Sequence, residues 1–160
     1  MRTHVSKSFI LTGYDIETEE LLRGVPAVDL AYAAGVIDGE GCISAHNYGV
    51  TRLGVRVCVV NTNFMLLRWL RDHLGLGSIR LQSKPKSQRH KQAYKFVVDN
   101  RFQVHGLLRA ILPYLVIKRP QAIELMELIK LRVGQGLHIS PEVTAGVNRF
   151  RVLNAKGVAE

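Results

Sequence analysis

The short run Asp38-Gly39-Glu40-Gly41 sets two carboxylates within three positions of each other, with a glycine on each side of Glu40. It follows an apolar stretch with helical spacing, so both acids fall at a helix C-terminus. Such an end carries about half a negative charge and repels carboxylates unless a cation compensates. Asp38, still on the helix, is expected to make structural hydrogen bonds there. The glycines around Glu40 allow a turn and bare backbone carbonyls, including that of Gly39. Carboxylate and carbonyl oxygens are hard ligands that suit Mg²⁺, with phosphate oxygens and water completing the shell. An exposed turn glutamate is the ordinary alternative for the same residue.

The composition narrows what such a site can act on. The chain has 160 residues, of which 47% are hydrophobic, enough for one globular domain with its own core. No run has the length of a transmembrane helix, and the first twenty residues lack the apolar centre of a signal peptide. Two cysteines, Cys42 and Cys58, have no metal-ligand spacing. The expectation is a soluble, intracellular protein with no membrane partner. Net charge is +9, and fourteen Lys/Arg against two acids, Asp72 and Asp99, lie between Ile43 and Arg119. That stretch is therefore +12 (14 − 2) and the remainder −3 (9 − 12). A concentrated cationic block is the footprint of a polyanionic partner; the alternative is a solvated basic face.

The elements that must position these residues can be read from periodicity. Residues 1–25 form an N-terminal appendage whose acids precede a short helix ending at Gly24, and residues 26–160 form a single domain. Pro26 opens a helix that is apolar on most sides and stopped by Gly39 and Gly41. Cys42–His46 and Arg52–Val59 alternate like strands joined through Asn47-Tyr48-Gly49. Phe64–Leu74 is an amphipathic helix closed by Gly75. Ser78–Gln82 and Ala93–Val98 form a second hairpin around the basic loop Lys84–Lys91. Asp99 or Asn100 caps a helix running through Leu112, Pro120 opens another through Leu131, and Ser140-Pro141 starts a last one. The order is α-ββα-ββα-α, an α+β arrangement of one antiparallel sheet with helices on one face and the other face open.

Leu30–Gly41 reads LAYAAGVIDGEG, and its segment Ala33–Gly41 resembles the nine-residue signature of the LAGLIDADG homing endonucleases. Ala34, Gly35, Ile37, Asp38 and Gly41 match it; Ala33, Val36, Gly39 and Glu40 are small or conservative departures. The α-ββα-ββα order extends the resemblance over roughly residues 27–132, with the saddle-shaped sheet of that family as the implied fold. The resemblance implies metal-dependent hydrolysis of DNA phosphodiesters at a long, near-palindromic site, with Glu40 catalytic and, with Gly39, metal-binding. Mg²⁺ is the implied cofactor, with Mn²⁺ substituting and Ca²⁺ binding without supporting cleavage. Only one motif is present, whereas two strands must be cut, so a homodimer is implied. Ala31, Ala34 and Gly35 are its interface candidates, since small side chains let helices approach closely. Asn61 matches the segment whose polar side chain holds active-site water, with a helix N-cap as the alternative. Lys118 matches the lysine near the scissile phosphate. It precedes a helix N-terminus, where a cation is poorly placed unless an anion arrives, and a surface lysine is the alternative. Where some relatives carry a further basic residue this chain has Met65, and Arg68 is a substitute candidate.

Strand alternation assigns the DNA face. Ile43, Ala45, Leu53, Val55, Val57 and Val59 point to the helices, with Ile79, Leu81, Tyr94 and Phe96 from the second hairpin. The opposite face then carries Ser44, His46, Tyr48, Arg52, Arg56, Arg80, Gln82, Lys84 and Lys95, positioned to enter the major groove. Lys86, Arg89 and Lys91 are candidate phosphate contacts. Cys42 and Cys58 are expected opposite one another as free thiols. A competing class is a non-cutting nucleic-acid binder of the same fold, an intron RNA maturase or a transcription regulator. Its mark would be loss of the acid at 40 or the base at 118, and both are present. A structural RNA-binding protein is a third class, against which the glycines around Glu40 argue.

Overall fold

The computed structural model describes residues 18–83, 91–133 and 138–155. Among these residues five α-helices and four strands follow the expected order: α1 Ala27–Glu40, β1 Gly41–Tyr48, β2 Arg52–Asn61, α2 Phe64–Leu74, β3 Ser78–Ser83, β4 Ala93–Val98, α3 Arg101–Ile111, α4 Arg119–Val133 and α5 Pro141–Leu153. Helix starts follow their capping residues. The Asn63 side chain accepts the amides of Met65 and Leu66, Asn100 those of Phe102 and Gln103, and Ser140 that of Val143. Asn100, rather than Asp99, is thus the cap of α3. α1 runs one residue beyond Gly39, and β1 continues through Tyr48, so the first turn falls at residues 49–51. Among the described residues no helix is long and apolar enough to cross a membrane.

The sheet is antiparallel in the order β1-β2-β4-β3. One face is dry: Ile43, Ala45, Leu53, Val55, Val57, Val59 and Phe96 are buried against Leu67, Leu70, Leu107, Leu108 and Ile111 of the helices. Leu81 departs from the expected inward set and is 50% exposed. It lies on the edge strand, next to a register shift between Leu81 and Ser83 that takes it off the covered surface. α5 packs on α4 and β1 and adds Val143, Val147 and Phe150 to the core. Residues 18–26 pack on this domain as well. Leu22 is a core residue, Glu19 pairs with Arg109 at 3.3 Å, and the Thr18 hydroxyl meets His105 Nδ1 at 2.7 Å within α3's buried side.

The junction of α1 and β1 is tight. A Cβ on Gly41 would stand 2.6 Å from the Ile37 carbonyl oxygen and 2.8 Å from Ile37 Cα, backbone atoms that cannot rotate away. Gly41→Ala is therefore expected to lower stability by about 1–3 kcal/mol, the usual cost of overpacking. Urea unfolding measures it, and an unchanged midpoint would mean the turn relaxes freely.

Candidate active site and nucleic-acid interface

α1 ends against the segment that starts α4. The Asp38 carboxylate accepts the backbone amide of Val116 at 2.7 Å through one oxygen and that of Lys118 at 2.8 Å through the other. Lys118 returns the contact, its ammonium donating to the Asp38 carbonyl oxygen. Burial works against ionisation of Asp38, but the amides of Val116, Lys118 and Ile117 and the Lys118 charge outweigh it and hold its carboxyl below the ordinary value. Asp38 thus makes the structural hydrogen bonds expected near the end of α1, with partners 78 and 80 residues away.

Glu40 is the last residue of α1, and Gly39 and Glu40 are both exposed. Gly41 pairs with Val59, so Glu40 emerges at the end of the sheet where β2 finishes with Val60 and Asn61. Asn61 Oδ1 accepts the Asn63 amide at 2.8 Å, closing the turn into α2. The N-cap reading of Asn61 is thereby corrected, because Asn63 holds that position. Met65 is 66% exposed at the start of α2, and Arg68 is paired with Asp72 at 3.3 Å. Among the described residues no three His, Cys, Asp or Glu side chains converge on a point. One carboxylate with neighbouring carbonyls is a donor set that fits Mg²⁺, which retains water and takes substrate phosphate rather than filling an all-protein cage.

The open sheet face runs away from this end. Register places Cys42 opposite Cys58, Ser44 opposite Arg56, His46 opposite Gly54, and Tyr48 opposite Arg52. Both thiols are free. A hydrogen bond from Cys58 draws the Cys42 thiol down to about 6, against its burial and aided by Lys118 and Arg56; the same contact pushes Cys58 up. Further out, Tyr48 lies over Gly54, where a Cβ would come within 2.2 Å of the ring, and the Arg52 guanidinium sits 5.4 Å from the Tyr48 ring centre. Lys95 pairs in register with Val60 on one side and Arg80 on the other. Arg80 is held by Asp99 at 3.0 Å and by the Ser78 hydroxyl at 3.1 Å. Gln82 and Lys91 are exposed; Lys84, Lys86 and Arg89 lie outside the described residues.

The interface candidates divide. Ala34 is fully buried with Ala33 and Ile37, so it packs within its own chain and offers no surface, which corrects its assignment. Ala31 is half-buried and Gly35 exposed. The outward stripe of α1 is instead Val28, Tyr32, Gly35 and Gly39, and a Cβ at either glycine meets nothing within 4 Å. The alanine-rich sequence concealed which small residues face inward. The exposed Val28 and Tyr32, 72% and 51% accessible, mark the other side.

Asp38→Asn should lower stability by about 1–3 kcal/mol at neutral pH, through loss of hydrogen bonds to a charged acceptor. A carboxyl whose folded value is depressed stabilises above its unfolded value, near 3.8, and loses that contribution as pH falls through the folded value. The stability gap between wild type and Asp38→Asn should therefore close below about pH 4. Urea unfolding across pH 2.5–7 tests this, and a gap that is constant with pH would refute it.

No protein-family model matches the sequence, and no curated protein sequence is significantly similar to it. Solved structures do match. The homing endonuclease I-CvuI, in complex with the I-CreI target in 2 mM Mg with its DNA not cleaved, is 23% identical over 83% of this chain and 85% of its own, with a TM-score of 0.65. The archaeal intron-encoded homing endonuclease I-Vdi141I, complexed with DNA, is 22% identical over 83% and 88%, with a TM-score of 0.68. The LAGLIDADG meganuclease I-AabMI, bound to uncleaved DNA, is 22% identical over 79% of this chain but 44% of its own, with a TM-score of 0.60. The saddle of four antiparallel strands backed by helices is thus the LAGLIDADG homing-endonuclease fold.

Proposed function

We propose that the protein is a site-specific double-strand DNA endonuclease acting as a homodimer. One observation supports this reading: Lys118 bonds to the Asp38 carbonyl two residues before Glu40, at the end of the sheet from which the face bearing Arg56, Arg52 and His46 runs out. The DNA-bound proteins of the same fold support it. Ser44, His46, Tyr48, Arg52, Arg56, Arg80, Gln82 and Lys95 would read bases in the groove, and Lys84, Lys86, Arg89 and Lys91 would hold phosphates. Lys118 would orient the scissile phosphate, and Asn61 an attacking water. Glu40 and the Gly39 carbonyl would hold Mg²⁺, which when bound offsets charge developing on the phosphate.

The second active site would come from a second copy. Gly35 and Gly39 are glycines that the chain's own packing does not require, on an exposed stripe beside Val116 and Ile117, which are 81% and 68% accessible. A two-fold helix pair at that stripe would use the space and bring two Glu40 residues together. This chain also covers most of I-CvuI and I-Vdi141I but less than half of I-AabMI, as suits one half of a two-site enzyme. Sedimentation equilibrium should give twice 17.9 kDa. Gly35→Leu should yield folded monomer, and a wild type that stays monomeric on DNA would exclude the dimer.

Target sites selected from a randomised library by Mg²⁺-dependent cleavage supply the substrate for the decisive test. Glu40→Gln preserves size and should reduce single-turnover cleavage by orders of magnitude, while gel-shift affinity in Ca²⁺ persists. Lys118→Met should slow cutting less. Cleavage at the wild-type rate by Glu40→Gln would overturn the assignment.

A further inference from the structure

The open face does not end at the β1–β2 turn. A recess of about 180 Å³, lined by His46, Tyr48, Arg52 and Arg56, opens on the sheet. A second, of about 240 Å³, shares Arg52, Gly54 and Asp99 with it and turns the corner onto the helical layer. There Arg101, at the start of α3, and Arg132, near the end of α4, line the same hollow as Arg52 and Thr51. Its one carboxylate, Asp99, already pairs with Arg80. The three cations are held in different ways. Arg132 is anchored by donating to the Thr51 carbonyl at 3.0 Å, and Arg52 rests on Tyr48. Arg101 is exposed and forms no ion pair among the described residues. Asn100 already caps the start of α3, so the positive charge comes from side chains.

Three guanidiniums around a hollow of several water volumes suit one anion with several oxygens, at about 30 Å³ per water. Resting on the proposed DNA-cutting function, we infer that Arg52, Arg101 and Arg132 clasp one backbone phosphate of duplex DNA at the outer edge of each half-site. The geometry sets where. β1 has eight residues between Glu40 and the turn, which at about 3.3 Å each span about 26 Å, or about eight base pairs at about 3.4 Å rise. With the turn added, the clasped phosphate lies about eight to ten base pairs from the cut. The clasp takes Arg52 from the turn end of the base-reading face, adds Arg101 and Arg132 from the helices, and fixes how far along the duplex each subunit reaches.

The test uses the full-length protein and the selected target, shortened one base pair at a time from the outer ends. Wild-type affinity in Ca²⁺ should fall in one step of about tenfold when the phosphate eight to ten base pairs from the cut is removed. Arg101→Gln, an exposed change whose fold is checked by thermal melting, should abolish most of that step. It should also lower the slope of log affinity against log salt by about 0.9 for each phosphate released. Ethylation of that phosphate should interfere with binding of the wild type and not of Arg101→Gln. A cleaved target with no such step, or a step that Arg101→Gln retains, overturns this inference alone. Failure to select any cleaved target overturns the endonuclease reading, and this inference with it. Displacement of the DNA by structured RNA at lower concentration than by duplex competitor would assign the clasp to RNA and overturn it as well.

Discussion

Two helix ends meet where α1 stops and α4 starts, and each supplies what the other lacks. The C-terminus of α1 exposes carbonyls and partial negative charge, and the Lys118 ammonium sits on one of them. The N-terminus of α4 and the turn before it expose amides, and the Asp38 carboxylate takes two of those. A carboxylate at the end of α1, unfavourable toward its own helix, is thus tied to the turn that leads into another. Because Asp38 and Lys118 hold each other here, the end of α1 and the start of β1 are fixed against the turn before α4. Gly41 then lets β1 start within contact of Ile37, so the sheet is hung from the same joint.

What hangs from it is a surface already ordered before any ligand arrives. Arg52 lies on Tyr48, Arg80 is clamped between Asp99 and Ser78, and Tyr48 itself is seated on Gly54. Long cationic side chains lose much rotamer freedom on binding, and those stacked or paired beforehand lose less. The strand cations of the +12 segment, Arg52, Arg56, Arg80 and Lys95, thus sit on a sheet whose other face is dry.

Much of this was legible in the residues. Alternation in Ile43–Val59 sorted the two faces of the first hairpin because its period is two and its inner face is wholly buried. Asn100 and Ser140 began helices because a short polar side chain can accept the first free amides, whereas the cap of α2 fell two residues later than expected, on Asn63 rather than Asn61. Other features had no local signal. The partners of Asp38 are backbone amides distant in sequence, which no spacing rule reaches. Ala34 and Gly35 are both small, and only tertiary packing decides that one faces the core and the other solvent. Leu81 follows the alternation yet is exposed, because a bulge on an edge strand breaks the surface that would have covered it. Arg101 and Arg132 belong to no motif. They meet Arg52 only because β4 pairs beside β2 and delivers α3 to the outer corner.

The two free edges of the sheet, β1 and β3, are where any antiparallel saddle is open to unwanted strand pairing. Each is blunted. The Asn154 side chain, just past α5, donates to the Ile43 carbonyl on the outer side of β1 at 2.9 Å, occupying an acceptor that another strand would need. β3 is only six residues long, is broken by its register shift, and carries Arg80 and Gln82. Edge-to-edge association, the route by which such sheets polymerise, is thereby disfavoured at both ends.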